Sequence, residues 1–149
     1  MKLEEELQQK SFKNEYHKLA LNIMFSFHWL SGRSQSLFKD KEITAQQYNV
    51  LRILRGQYPK PSSIKLIRER LLDRMSDASR MIDKLVEKKL VERSVCLTDK
   101  RSTNVLITAK GLAILESLDF IDDTIMGHLK ALDEKEALLL NTLLDKMRD

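Results

Sequence analysis

The stretch LTDKRSTNVLITAKG, Leu97 to Gly111, sets Asp99, Lys100 and Arg101 at the tip of a hairpin pattern. The chemistry open to such a tip is electrostatic: Lys100 or Arg101 can enter the narrow, electronegative minor groove of duplex DNA. Asp99 gains nothing facing phosphate and would instead pair with an arginine to hold the tip in shape. Alone, the triplet reads better as a solvated turn with no partner, because such triplets are common by chance. A second polar group lies upstream in RMSDASRMIDK, Arg74 to Lys84. At about 100° per residue, Ser76, Ser79, Arg80, Asp83 and Lys84 share the helix face opposite Ala78, Ile82 and Leu85. Short hydroxyls let such a face approach base edges closely. An arginine there can donate two hydrogen bonds to guanine, worth about 1–3 kcal/mol of discrimination. Asp77 admits two readings, an acceptor for a cytosine amino group or a first-turn acid favoured by the helix dipole. Lys65 and Arg74 complete the set of candidate DNA contacts.

Catalysis finds little support. His17 and His28 lie on one helix face, but eleven residues of rise separate them by roughly 16 Å, and His128 is far along the chain. No Cys/His cluster has zinc-like spacing, and there is neither a glycine-rich phosphate loop nor a nucleophile–base signature. The expectation is a protein that is not an enzyme and holds no metal or cofactor. The single cysteine, Cys96, fits a reducing cytoplasm and reads as a small apolar strand residue, with a redox switch as the alternative.

The elements that must position these residues follow from pattern. From Phe12 to Phe38 apolar positions recur every three or four residues, which predicts one helix of about seven turns. Met24, Phe25 and Trp29 widen its stripe beyond one face, so a partner chain is expected to cover it. Thr44 with Gln47 forms a capping box and Ile43 with Tyr48 a hydrophobic staple for a helix that must end by Gly56, ahead of Pro59 and Pro61. Ser62 or Ser63 caps a short helix carrying Ile64, Ile67 and Leu71. A third helix follows from roughly Arg74 to Lys88, capped by either Asp73 or Ser76. From Leu90 the period becomes two: LVERSVC predicts a strand and NVLI, Asn104 to Ile107, its return partner. Thr108 then caps a long helix bearing Leu112, Leu115, Leu118, Ile121, Ile125 and Leu129. Asp133 with Glu136 caps a last one bearing Leu139, Leu140, Leu143 and Met147.

Three short helices followed by a two-stranded hairpin define a winged helix-turn-helix, in which the third helix lies in the major groove and the hairpin reaches the backbone or minor groove. Charge agrees. Residues 55–110 carry 14 Lys/Arg against 7 Asp/Glu, a net of +7, while the remainder carries 12 against 15, a net of −3. A basic middle between acidic ends suits a polyanion partner, with a merely solvated basic face as the alternative. No window offers some 18 uninterrupted apolar residues, so no membrane span is expected. MKLEEELQQK lacks the apolar core and cleavage site of a secretory signal.

The run from Thr44 to Gly111 resembles the multiple-antibiotic-resistance regulator (MarR) family of bacterial transcription factors. The likeness rests on TAQQYNVLRIL, SRMIDKLVEKKLVER and above all DKRSTNVLITAKG, which is similar to the family's wing motif of Asp-x-Arg before an apolar-Thr-x-x-Gly stretch. By that resemblance Asp99 and Arg101 are the wing pair and Arg80 belongs to the recognition helix. The family usually has glycine where this chain has Lys89, so Lys89 must either bear a left-handed conformation or end the helix differently. Peroxide-sensing members carry their reactive cysteine near the N-terminus, and this chain has none there.

The fold expected is mainly α with a small β-hairpin wing, flanked by long N- and C-terminal dimerisation helices. Residues 1–42 would form the first, 43–110 the DNA-binding region and 111–149 the last helices, in one intertwined domain. Phe12, Tyr16 and Leu19, with Leu139, Leu143 and Met147, are the dimerisation candidates. The resemblance implies a homodimer on a pseudo-palindromic operator in double-stranded DNA, relieved by a small ligand, an oxidant or another signal. It places an effector pocket between the dimer region and the winged region. His28, Trp29, Arg33 and Tyr48 are the candidates for it, and Arg33 suits an anionic aromatic compound. Equally, Trp29 and Tyr48 can be core. The competing function is a helical interaction module that keeps the fold without binding DNA.

Overall fold

The computed structural model describes residues 1–95 and 103–149. In chain order its elements are α1 (Leu3–Glu6), α2 (Glu15–Lys39), α3 (Ala45–Arg55), β1 (Ser62–Ser63), α4 (Ile64–Arg70), α5 (Ala78–Glu87), β2 (Val91–Val95), β3 (Thr103–Ile107), α6 (Ala109–Glu116), α7 (Phe120–Leu129) and α8 (Glu134–Arg148). They group into two units, Leu37–Asp123 on one hand and Met1–Ser36 with Thr124–Asp149 on the other.

The first unit is built around α3. Its N-terminus has the expected capping box, with Thr44 Oγ1 accepting from the Gln47 N–H at 3.1 Å and Gln47 Oε1 from the Thr44 N–H at 3.2 Å. Val50, Leu51 and Leu54 from α3 meet Ile67 of α4, Ile82 and Leu85 of α5, and Leu90, Val91, Val105 and Ile107 of the sheet region in one buried core. Ser63 caps α4 through its side chain. The sheet has three strands in the order β1-β3-β2, all antiparallel, rather than the expected two. Sequence reading assigned Ser62 and Ser63 only to a cap. They also pair with Val105 and Asn104, a long-range match that no local pattern announces.

The end of α5 decides the question raised by Lys89. Its φ is 61°, so it takes the left-handed conformation glycine usually supplies. The Leu90 N–H donates to Leu85 O at 2.9 Å and the Lys89 N–H to Val86 O at 2.8 Å, the two bonds of a Schellman motif. Leu85 and Leu90, both buried, supply its apolar contact. Lys89 is itself exposed, so Lys89→Gly loses no packing. Relief of left-handed strain, about 1–2 kcal/mol, outweighs the added unfolded-chain entropy of glycine, about 0.4–1 kcal/mol. A gain in unfolding stability of about 0.5–1 kcal/mol is expected. An unchanged or lowered urea midpoint would contradict it.

The long helix expected after Thr108 is two helices. α6 stops at Glu116 and α7 starts at Phe120. Across the join the Leu118 N–H bonds Leu115 O at 2.9 Å and the Ile121 N–H bonds Leu118 O at 3.0 Å. Ser117 Oγ donates to Ile114 O at 2.7 Å. Leu115, Leu118 and Ile121 are fully buried at a spacing of three, and i→i+3 turns keep such a row on one side where an α-helix would rotate it away. Arg52 and Arg55 of α3 pair with Asp122 and Asp119 at 2.9 and 2.7 Å, fastening the second turn.

In the second unit the first long helix begins at Glu15, three residues later than the periodicity predicts. Asn14 Oδ1 accepts from the His17 N–H at 2.9 Å and starts it there. Phe12 thus lies ahead of α2, its ring edge-on to His17 at 6.0 Å. The short α1 was not expected from the sequence. Leu3 is its buried residue, and Glu4 pairs with Lys18 of α2 at 2.5 Å. α8 opens on the expected Asp133–Glu136 capping box and buries none of its residues. Among the described residues, Tyr16 is 83% exposed, and Leu19, Leu139, Leu143 and Met147 are about half exposed. No helix of the described residues is long and apolar enough to cross a membrane.

Candidate nucleic-acid interface

α5 is shorter than the sequence predicts and begins at Ala78 rather than near Arg74. Neither Asp73 nor Ser76 caps it. Asp77 does, its Oδ1 accepting from the Arg80 N–H at 3.0 Å. Asp73 instead organises the turn before the helix. Its two carboxylate oxygens accept from the Met75 N–H at 2.9 Å and from the Ser76 hydroxyl at 2.7 Å. The Ser76 hydrogen bond, helped by that of Met75, holds the Asp73 carboxyl below its ordinary pKa. Gln46, at the start of α3, donates to Ser76 Oγ at 3.2 Å and ties the turn to the core helices.

The helix buries Ala78, Ile82 and Leu85 and turns Ser79, Arg80, Asp83 and Lys84 to solvent. That is the division its periodicity predicts. A residue the sequence reading missed changes the electrostatics of this face. Arg93 of β2 pairs with Asp83 at 2.9 Å and lies 3.4 Å from Ser79 O, to which it donates. Asp77, as the cap, and Asp83, by a cation, are thereby engaged from within the chain, while Glu87, one turn beyond Asp83, is exposed. Arg80 and Lys84 have no side-chain partner among the described residues. The available signal was a lone arginine between Val91 and Val95, where an alternating strand places an apolar residue.

Arg74 is exposed in the turn, and Lys65 is exposed on α4 with Glu69 4.0 Å away, a spacing of little energetic weight at the surface. Asp99, Lys100 and Arg101 of the expected wing tip, and Cys96, lie outside the described residues. The described strands that lead to them are in register, Val91 opposite Ile107 and Val95 opposite Thr103.

Behind the helix, the Thr-x-x-Gly part of the wing motif has a structural role. Thr108 Oγ1 donates to Lys89 O at 2.9 Å and accepts from the Gly111 N–H at 3.1 Å, so one hydroxyl joins the end of α5 to the start of α6. The Thr108 N–H bonds Leu90 O at 3.1 Å.

Of the residues expected around an effector, Tyr48 lies in the first unit and His28, Trp29 and Arg33 in the second. In the second unit Arg33 stacks over Trp29 at 4.8 Å, and His128 meets the Trp29 ring edge-on at 6.2 Å. His28 is exposed and pairs instead with Phe27 at 5.4 Å. Tyr48 belongs to the first unit as a core residue against Phe38, ring centroids 5.0 Å apart, and burial raises its pKa. The buried Trp29 Nε1 has no hydrogen-bond partner among the described residues. A cavity of about 130 Å³ beside it is lined also by Leu3, Asn22, Phe25 and Ser26. No group of three or more His, Cys, Asp or Glu among the described residues could hold a metal ion.

A three-helix core, a capped and solvent-facing third helix, and an antiparallel hairpin behind it define a winged helix-turn-helix unit. The sequence model of the MarR family matches residues 43–103 of that unit. The chain is similar in structure to a mutant MarR from E. coli complexed with operator DNA, with TM-score 0.80 and 27% identity over 93% of this chain and 99% of the other. It is also similar to the S. aureus MepR–DNA complex, with TM-score 0.78 and 25% identity over 92% and 97%. A MarR transcription factor from Planctomyces limnophilus matches with TM-score 0.66 and 27% identity over 91% and 98%.

Proposed function

We propose that this protein is a DNA-binding transcriptional regulator that acts in the cytoplasm as a homodimer on a pseudo-palindromic operator, as a repressor relieved by a small ligand or other signal. The observation that carries the reading is the α5 face: Asp77 is engaged as the cap and Asp83 by Arg93, while Arg80 and Lys84 have no side-chain partner among the described residues. The E. coli and S. aureus structures it resembles hold DNA, which supports the same partner here. Residues 1–42 and 111–149 are assigned to dimerisation around a reading region at 43–110. The half-exposed Leu19, Leu139, Leu143 and Met147 and the exposed Tyr16 suit that role. Two-fold symmetry would set paired recognition helices about one DNA turn, roughly 34 Å, apart. The Trp29–Arg33–His128 group offers a ring, a cation and an N–H with no partner among the described residues to an anionic aromatic effector.

A gel-shift titration against the DNA upstream of the protein's own coding region tests the proposal. Affinity is expected to fall about 10³-fold or more between 50 and 200 mM salt, as for six or more neutralised phosphates. From the sequence alone, Arg101→Ala is expected to weaken binding to all duplexes and to reduce the salt slope by about one. Salt-insensitive failure on every duplex would favour the interaction module instead. A single-subunit mass in sedimentation would remove the homodimer.

Arg93 supplies a further prediction. Arg93→Ala leaves Asp83 unpaired on the reading face, where it repels phosphate, so affinity is expected to drop about tenfold, as for a charge contact worth about 1.4 kcal/mol. Adding Asp83→Asn should restore most of the loss. A double variant as weak as the single one would show that Arg93 acts in some other way.

A further inference from the structure

Leu72 and Met75 are 92% and 94% exposed. Among the described residues of the Leu37–Asp123 unit, the other exposed large apolar side chains, Tyr58 and Phe120, reach only 52% and 51%. A lone surface leucine needs no explanation. Two within four residues, both almost wholly in water, on the turn that leads into the reading helix, do.

The turn that carries them is not slack. Asp73 holds it through the Met75 N–H and the Ser76 hydroxyl, Gln46 braces Ser76 from α3, and Asp77 immediately starts α5. Leu71 on one side is buried at 5% exposure and Ala78 on the other at 2%, so the backbone is anchored at both ends while Leu72 and Met75 are turned outward. The exposed side chains of Arg70, Arg74 and Arg80 lie among the exposed acids Glu69, Asp73 and Asp77, but the wider stretch 55–110 carries a net charge of +7, which suits a polyanion over this apolar pair. Duplex DNA offers one apolar group in its major groove, the 5-methyl of thymine, and leucine and methionine side chains suit it.

We infer that Leu72 and Met75 are specificity-determining residues that pack on thymine 5-methyl groups in the major groove beside the α5 contacts. The inference rests on the DNA-binding reading above. The turn, held by Asp73, presents both side chains before DNA arrives, so little ordering cost opposes the contact.

Thymine and uracil differ by that methyl group alone. A pool of randomised duplexes of roughly 30 base pairs, long enough for two half-sites one turn apart, is enriched on the wild-type protein. The winning duplex is then remade with each dT replaced in turn by dU. Wild-type affinity is expected to fall about fourfold at each contacted thymine, the effect of one buried methyl-sized group. The Leu72→Ala/Met75→Ala variant, which changes only exposed side chains, should bind the dT and dU duplexes equally. Wild-type protein that binds every dU duplex as well as its parent overturns the inference while leaving DNA binding intact. So does a double variant that keeps the full methyl preference. Failure to enrich any duplex overturns the DNA-binding reading itself, and this inference with it.

Discussion

Gly111→Ala is expected to lower the unfolding free energy by about 2 kcal/mol, despite placing a better helix former in the first turn of α6. A Cβ at this position would stand 2.3 Å from Leu90 O and 2.7 Å from Ile107 Cγ1. The first is backbone, and it is committed: Leu90 O accepts from the Thr108 N–H, and the Leu90 N–H closes the Schellman motif of α5. Relief of the clash must therefore move α6 away from the end of the reading helix or distort that helix end. Overpacking of this kind costs about 1–3 kcal/mol, the upper part of that range applying where backbone cannot yield. The helix preference for alanine over glycine offsets about 1 kcal/mol at most. Urea unfolding followed by circular dichroism measures the difference. Gly56→Ala is the control, because a Cβ there meets nothing closer than 3.5 Å and its φ of −66° suits any residue. Equal midpoints for the two variants would show that the contact at Gly111 is readily relaxed.

Arg80→Ala is expected to have the largest effect on function. The guanidinium is exposed, has no partner among the described residues, and springs from a helix turn whose backbone Asp77 holds at 3.0 Å. Its removal takes away a charge and a two-pronged donor from the same point. Loss of a bidentate base contact amounts to about 1–3 kcal/mol of discrimination, so the ratio of affinities for the preferred and a scrambled duplex should fall about 5- to 150-fold. Competition gel shifts with both duplexes report that ratio directly. A uniform loss on both duplexes, with the ratio preserved, would assign Arg80 to phosphate rather than to a base. The contrast with Arg101→Ala, where uniform loss is the expected result, separates a reading contact from a positioning one.

Much of this protein was legible along the chain because it depends on groups within four residues of one another. The Thr44–Gln47 and Asp133–Glu136 boxes, the Ser63 cap, the polar face of α5 and the change to period two after Leu90 are all of that kind. The resemblance marked Lys89 as standing where glycine is usual but left the helix end open, and the structure decides for the left-handed conformation. What the chain could not disclose depends on partners distant in sequence. Three good capping side chains, Asp73, Ser76 and Asp77, stand within five residues, and only the burial of Leu71 and Ala78 on either side decides which one starts the helix. The third strand exists because Ser62 meets Val105, the helix after Thr108 breaks to keep Leu118 and Ile121 in one core, and Asp83 is neutralised because β2 brings Arg93 beside it. Local hydrogen bonds and periodicity therefore determined the elements, whereas packing between elements determined which charges of the α5 face are engaged within the chain.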